Sequence, residues 1–108
     1  MKKIEKIKEE ELQQIASMLK TLAEPTRLKI MQALHEGELC VTDIVSSVGS
    51  SQANISKHLQ LLLQNHLLKS RRVGTTIYYQ LAGPYVSSLC ESICENYSKM
   101  IQSKFGKK

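Results

Sequence analysis

Three cysteines, and a polar run followed by a basic one, have the residue types and spacing for chemistry in this chain. Cys90 and Cys94 are four apart, so a helix there puts both thiols on one face. The spacing suits two ligands to one soft ion or two neighbouring thiols, but holds the pair too far apart for an easy disulfide. Cys40 joins them if its own segment packs near theirs, in the same chain or in a second copy. Soft thiolates select arsenite, copper(I), cadmium or zinc, and the same thiols take up persulfide or oxidise. Plain packing competes with this chemistry, because a free cysteine is a small, commonly buried hydrophobe. That applies most to Cys90, which stands with Cys94 among Leu89, Ile93 and Tyr97.

The polar run reads Ser51-Gln52-Ala53-Asn54-Ile55-Ser56-Lys57-His58. Setting Ile55 aside, six of the other seven residues carry hydrogen-bonding side chains. Gln52 and Asn54 have the amide pattern that pairs bidentately with adenine, and Ser51 and Ser56 suit a base or a phosphate. Lys57 and His58 extend the set. After it, Lys69, Arg71 and Arg72 lead into Gly74 and Thr75, a basic strand and tip suited to the sugar-phosphate backbone or the minor groove. The bland alternative is that Ser51 and Asn54 cap and solvate a surface helix. His35 and His66 are read as helix-end residues favoured by the dipole.

Positioning these groups requires a scaffold, and the apolar periodicity supplies one. Leu12, Ile15, Ala16, Leu19 and Leu22 recur at helical spacing over 9–23, and Ile4 and Ile7 extend the pattern backwards. Pro25 cannot continue that helix but fits the first turn of the next. Leu28, Met31 and Leu34 define a second helix over 25–35, closed by Gly37. A short third helix spans 41–48 with Thr42 as candidate N-cap, and Gly49-Ser50 forms the turn. Ser51 caps a fourth helix over 51–65 that buries Ile55, Leu59, Leu62 and Leu63. Two β-like runs, 67–72 and 76–81, flank Val73-Gly74-Thr75 and predict a hairpin, the whole covering 67–81. Gly83-Pro84 breaks the chain before a last helix over 85–103, which carries Val86, Leu89, Cys90, Ile93, Cys94, Tyr97 and Ile101 on one stripe.

Composition agrees with a polyanion partner. Lys and Arg number 15 against 10 Asp and Glu, a net charge of +5. The amino-terminal charge is mixed (Lys2, Lys3, Glu5, Lys6, Lys8 and Glu9 to Glu11). Lys57, Lys69, Arg71 and Arg72, by contrast, lie in a stretch with no acid between Asp43 and Glu91. No run approaches the ~18 apolar residues of a membrane span and no signal segment opens the chain, which predicts a cytoplasmic protein with no membrane partner. Three cysteines in a reducing compartment read as thiols, ligands or sensors rather than staples. A phosphate-binding glycine loop, paired carboxylates in a pocket-forming context and a Cys-His nucleophile pattern are all missing, so an enzyme is not expected.

Two short helices joined by a tight glycine turn and followed by a hairpin are in winged helix-turn-helix order. Four ordered segments across 12–81 also resemble the ArsR/SmtB metalloregulators. Leu22-Ala23-Glu24-Pro25-Thr26-Arg27-Leu28-Lys29-Ile30 is similar to that family's opening signature. Gly37 to Ile44 and Ser51 to Leu59 resemble its third and recognition helices, and Arg71 to Tyr79 resembles its wing. The resemblance implies a homodimer built from the first and last helices, and a repressor that leaves operator DNA when an inducer binds. It further implies a sensor thiol at Cys40. Where arsenic-responsive members carry Cys-Val-Cys, however, this chain has Thr42 in the second cysteine's place. The zinc sites of other members, on the last helix, use Asp, His and Glu, and no histidine follows His66. A family glycine after the recognition helix is replaced by Asn65-His66, and Asn65 tolerates the left-handed conformation that ends a helix.

Residues and resemblance together predict one mainly helical winged helix-turn-helix domain over 1–108, of order ααααββα and dimeric, with recognition helix 51–65, wing 67–81 and dimer helices 9–23 and 85–103. The expected DNA contacts are Ser51, Gln52, Asn54, Ser56, Lys57, His58, Lys69, Arg71, Arg72 and Thr75, on double-stranded operator DNA. The expected sensing residues are Cys40, Cys90 and Cys94. No cofactor is required. The inducer is a soft metal or metalloid (arsenite, cadmium, zinc or copper) or a sulfur species. The alternatives are a thiol- or persulfide-sensing repressor of the same fold, and a winged-helix protein-interaction module.

Overall fold

A computed structural model describes residues 4–105. Lys2 and Lys3 of the amino-terminal charge run lie outside the described residues. A 3-10 turn at Ile4–Lys6 precedes helix α1, Glu9–Leu22. Ile4 and Ile7 therefore do not extend the first helix. Glu11 reaches back to the Lys8 N–H at 3.0 Å and so closes the start of α1.

Helix α2, Pro25–Leu34, begins where the sequence demands a break. Glu24 is its N-cap, accepting from the Arg27 N–H at 2.8 Å, with proline in the first turn. Strand β1 is Leu39–Cys40, and α3, Val41–Val48, follows it directly. Cys40, not Thr42, is the N-cap of α3; its thiol donates to Asp43 Oδ2 at 3.3 Å. Gly49 ends α3 in the left-handed conformation (φ 81°), which a side chain would strain.

Helix α4, Gln52–Gln64, is capped by Ser51, whose hydroxyl accepts from the Asn54 N–H at 3.1 Å. At its far end the left-handed residue is His66 (φ 61°) rather than Asn65. The N–H groups of His66 and Leu67 close on the carbonyls of Leu63 and Leu62 at 3.1 and 3.0 Å. That is the paired C-terminal bonding of a Schellman motif, and it satisfies carbonyls the helix would otherwise leave open.

Strands β2, Leu68–Val73, and β3, Thr76–Leu81, form the expected hairpin. Its tip is the two-residue turn Gly74-Thr75, with φ 64° at the glycine alone. A glycine in the first central position gives the turn whose twist matches its strands. The sheet has a third member that periodicity did not reveal: β1 pairs antiparallel with β3 through Leu39–Tyr79 and Cys40–Tyr78, giving the order β1-β3-β2. A two-residue strand is too short to show alternation, so only its partner defines it. Helix α5, Pro84–Phe105, ends the described chain. The order is α, α, β, α, α, β, β, α: a winged helix-turn-helix with a three-stranded wing.

Ile30, Leu34, Ile44, Ile55, Leu59, Leu62, Leu67 and Val86 are essentially sealed from water and join α2, α3, α4, the wing base and α5 in one cluster. The outer helices contribute less. Leu12, Ile15 and Leu19 of α1, and Ile93, Tyr97 and Met100 of α5, are exposed large hydrophobics. No helix among the described residues is long and apolar enough to cross a membrane.

Candidate nucleic-acid interface and cysteine positions

The fold puts Ile55, His58, Leu59 and Leu62 on the buried side of α4 and leaves the other side open. Gln52, Ser56 and Lys57 are exposed on the first two turns. They form the free polar end of a helix held rigidly by its apolar stripe, and the helix start adds unpaired N–H groups that favour phosphate. Ser51 and Asn54 are already engaged. Ser51 caps the helix, and Asn54 Nδ2 donates to Ser50 Oγ at 2.8 Å. These bonds fix the angle at which α4 leaves the turn.

His58 departs from its expected role. The side chain is only 8% exposed and faces inward. Its Nδ1 lies 3.1 Å from Arg27 Nη1. A guanidinium only donates, so Nδ1 is the accepting side of this contact. Arg27 also donates from Nε to the Thr21 carbonyl. One arginine therefore ties the end of α1, the start of α2 and the middle of α4 together. A sequence signal existed: His58 stands three after Ile55 and four before Leu62, on the apolar stripe rather than the polar face.

The wing cations do not act as one group. Successive strand residues face opposite sides of a sheet. Arg71 pairs across the ladder with Tyr78 and Lys69 with Gln80, while Arg72 pairs with Ile77 on the side that carries Leu68 and Leu81. Lys69, Arg71, Arg72 and Thr75 are all exposed. Arg71 is nevertheless held: its Nε lies 3.0 Å from both carboxylate oxygens of Glu38, Nη2 closes on the same carboxylate, and the guanidinium sits 5.4 Å from the Tyr78 ring centroid. The Arg71 hydrogen bond holds the Glu38 carboxyl below its ordinary range, and Glu38 in turn raises Arg71. Nothing in the local pattern around Glu38 announces this pair, 33 residues apart.

The cysteines are unpaired thiols in three different settings. Cys40 is half-buried at the start of α3, on the wing face that carries Tyr78. Cys90 is half-buried against the core, and burial, with the nearby Cys94, pushes its thiol up. Cys94 is exposed. Among the described residues no three His, Cys, Asp or Glu side chains gather in a group able to hold a metal. His35 and His66 stand where a helix dipole would favour them, at the ends of α2 and α4, and His35 Nε2 meets Glu91 of α5 at 3.1 Å.

Known proteins share this arrangement. Residues 24–70 match the family model described as bacterial regulatory protein, arsR family. Over 87 residues the chain is 37% identical to a transcriptional repressor SmtB homolog of Synechocystis, covering 81% of this chain and 66% of that protein, just under two thirds. It is 38% identical over 88 residues to the arsenical resistance operon repressor of Escherichia coli, covering 81% of this chain and 74% of the relative. The solution structure of the homodimeric winged helix-turn-helix DNA-binding domain of Mb0332 from Mycobacterium bovis superposes with a TM-score of 0.81 at 33% identity, over 85% of each chain. The segment matched by the family model holds α2, the helix-turn-helix and the wing as far as Ser70, so it includes Gln52, Ser56, Lys57 and Lys69 and stops short of Arg71, Arg72 and Thr75. On motif, identity and fold alike, the chain belongs to the arsR family of bacterial regulatory proteins, a family of transcriptional regulators and not of enzymes.

Proposed function

We propose that this protein is a cytoplasmic, dimeric repressor that binds double-stranded operator DNA as a single winged helix-turn-helix domain and leaves it when its thiols meet an inducer. The observation that carries the reading is the exposed polar start of α4 (Gln52, Ser56, Lys57) beside a wing bearing Lys69, Arg72 and Thr75, in a stretch without one acid between Asp43 and Glu91. Polar side chains at the start of a recognition helix read base edges, and the wing cations hold phosphate. Ser51 and Asn54 act by fixing the helix, with their remaining hydrogen-bonding capacity turned to the backbone. Dimerisation follows from the exposed apolar stripes of α1 and α5, which a second copy would cover. The M. bovis domain is homodimeric, in keeping with this.

The inducer acts at Cys40, Cys90 and Cys94, and a soft ion such as arsenite, cadmium, zinc or copper suits their chemistry. The E. coli relative is an arsenical resistance repressor, which supports a metalloid. The adjacency of Cys90 and Cys94 favours a second reading, in which an organic persulfide passes its outer sulfur to one of the two thiols and leaves as the thiol. The test is a gel shift on DNA flanking the gene, repeated with arsenite, cadmium and an organic persulfide, for wild type and each Cys→Ser variant. Binding that each inducer class releases through a different cysteine assigns the sensor. No shift with that DNA sinks the repressor reading, and a triple Cys→Ser protein that still responds sinks thiol sensing.

A further inference from the structure

The exposed wing surface holds one strong contact that a DNA-binding wing does not need. Arg71, like Arg72, has the planar guanidinium that takes a phosphate oxyanion through two parallel hydrogen bonds. In this fold the Arg71 donors are occupied. Glu38, at the entry to β1, receives both Nε and Nη2 of Arg71, and Tyr78 packs under the guanidinium. A carboxylate offers the same two-oxygen edge that a phosphate would. The pair is solvent-accessible, with 56% of the Arg71 side chain exposed, so an incoming phosphate can exchange with the carboxylate. Lys69, on the same face, has no such partner among the hydrogen bonds and ion pairs described, and neither has Arg72 on the other.

We propose that Glu38 is an autoinhibitory residue of the wing: it stands in for a DNA phosphate on Arg71, so that the arginine reaches DNA only by giving up that carboxylate. The inference rests on the DNA-binding reading above. Non-specific affinity is the electrostatic term, in which every free cation near the backbone counts. On a random duplex the wing is loosely placed, no phosphate is held in position, and Arg71 stays with Glu38 and contributes nothing. On a matched site, base contacts from α4 fix the wing. A phosphate then stands where it can take both guanidinium donors, and one bidentate anion replaces another at little net cost. Glu38 therefore lowers binding to any duplex that would engage Arg71, the matched site at least as much as a random one, because the ion pair is given up there as well.

The experiment compares wild type, Glu38→Gln and Glu36→Gln on a random duplex and on DNA flanking the gene, from 50 to 300 mM salt, with thermal melts alongside. Glu36 is an exposed acid two residues away and controls for the loss of one negative charge. Freeing one cation is worth about 8-fold in affinity at 0.1 M salt, because the binding constant scales with salt to roughly the −0.9 power per phosphate engaged. Glu38→Gln should gain up to about that factor on the random duplex, with a salt slope steeper by about one, and at least as much on the flanking DNA. In an Arg71→Ala background the same change should do nothing beyond the Glu36→Gln effect. No gain on either duplex, a Glu38→Gln protein indistinguishable from Glu36→Gln, or a gain that persists without Arg71 would each overturn the proposal. So would a lowered melting temperature with unchanged DNA binding, which would make the pair only a staple between β1 and β2. A wild type that binds neither duplex overturns the DNA reading itself.

Discussion

Replacing His58 tests the account of how α4 is held. The ring is almost fully buried, and its Nδ1 is the acceptor for Arg27 Nη1 at 3.1 Å. His58→Ala removes that acceptor and leaves a cationic, half-buried donor unsatisfied, which costs about 1–3 kcal/mol. Removing a buried ring adds a packing loss on the order of 1 kcal/mol, the low end for core truncations because the site lies at the core's edge. The sum is about 2–4 kcal/mol, and at ~4–8 °C per kcal/mol for a domain near this size the midpoint should fall by about 10–25 °C. His58→Leu restores volume without the acceptor and should recover only the packing part. His58→Asn places an amide oxygen near the Nδ1 position and should recover most of the hydrogen-bond part. Thermal and urea unfolding of the four proteins at neutral pH, at matched concentration, separates the contributions. The reasoning is refuted if His58→Leu is as stable as wild type while His58→Asn is no better than alanine. A His58→Asn protein of native stability that has lost its DNA affinity would instead restore the histidine as a base contact.

Three further outcomes are expected. Removing Lys69 or Arg72 should weaken binding to all duplexes and reduce the salt slope by about one each, whereas Gln52→Ala should relax base discrimination by about 1–3 kcal/mol; fluorescence anisotropy on matched and random DNA reads both. The N-cap Glu24 has its carboxyl held below the ordinary value of 4.5, chiefly by the Arg27 backbone N–H, so its contribution is fully present above 4.5 and is lost as pH falls through the lower folded value. The melting-temperature gap between wild type and Glu24→Gln should therefore stay constant from pH 7 to about 5 and close in more acid solution. Ile93→Glu puts a charge into the exposed stripe of α5 and should yield a monomer by sedimentation; an unchanged dimer would place the interface elsewhere.

Much of the fold was legible because its determinants are local. Pro25, the Ser51 cap, the turn at Gly49 and the glycine at the hairpin tip act within a few residues of themselves, and the stripes of α1, α4 and α5 show at helical spacing. The exposed polar face of α4 follows from the same spacing, since whatever lies off the stripe of Ile55, Leu59 and Leu62 must face outward. His58 belonged to that stripe, but its polar type concealed the fact. What only the tertiary structure decided involves partners distant in the chain. A strand as short as Leu39–Cys40 exists only because β3 lies beside it, and the side taken by Arg71 or Arg72 depends on the register of the wing. Arg27 meets His58 across 31 positions, and Glu38 meets Arg71 across 33. Such pairs form because packing the apolar core brings α2, α4 and the wing together, after which polar groups near one another must satisfy their hydrogen bonds. Residue types state what each side chain can bond to; the packed core selects the partner.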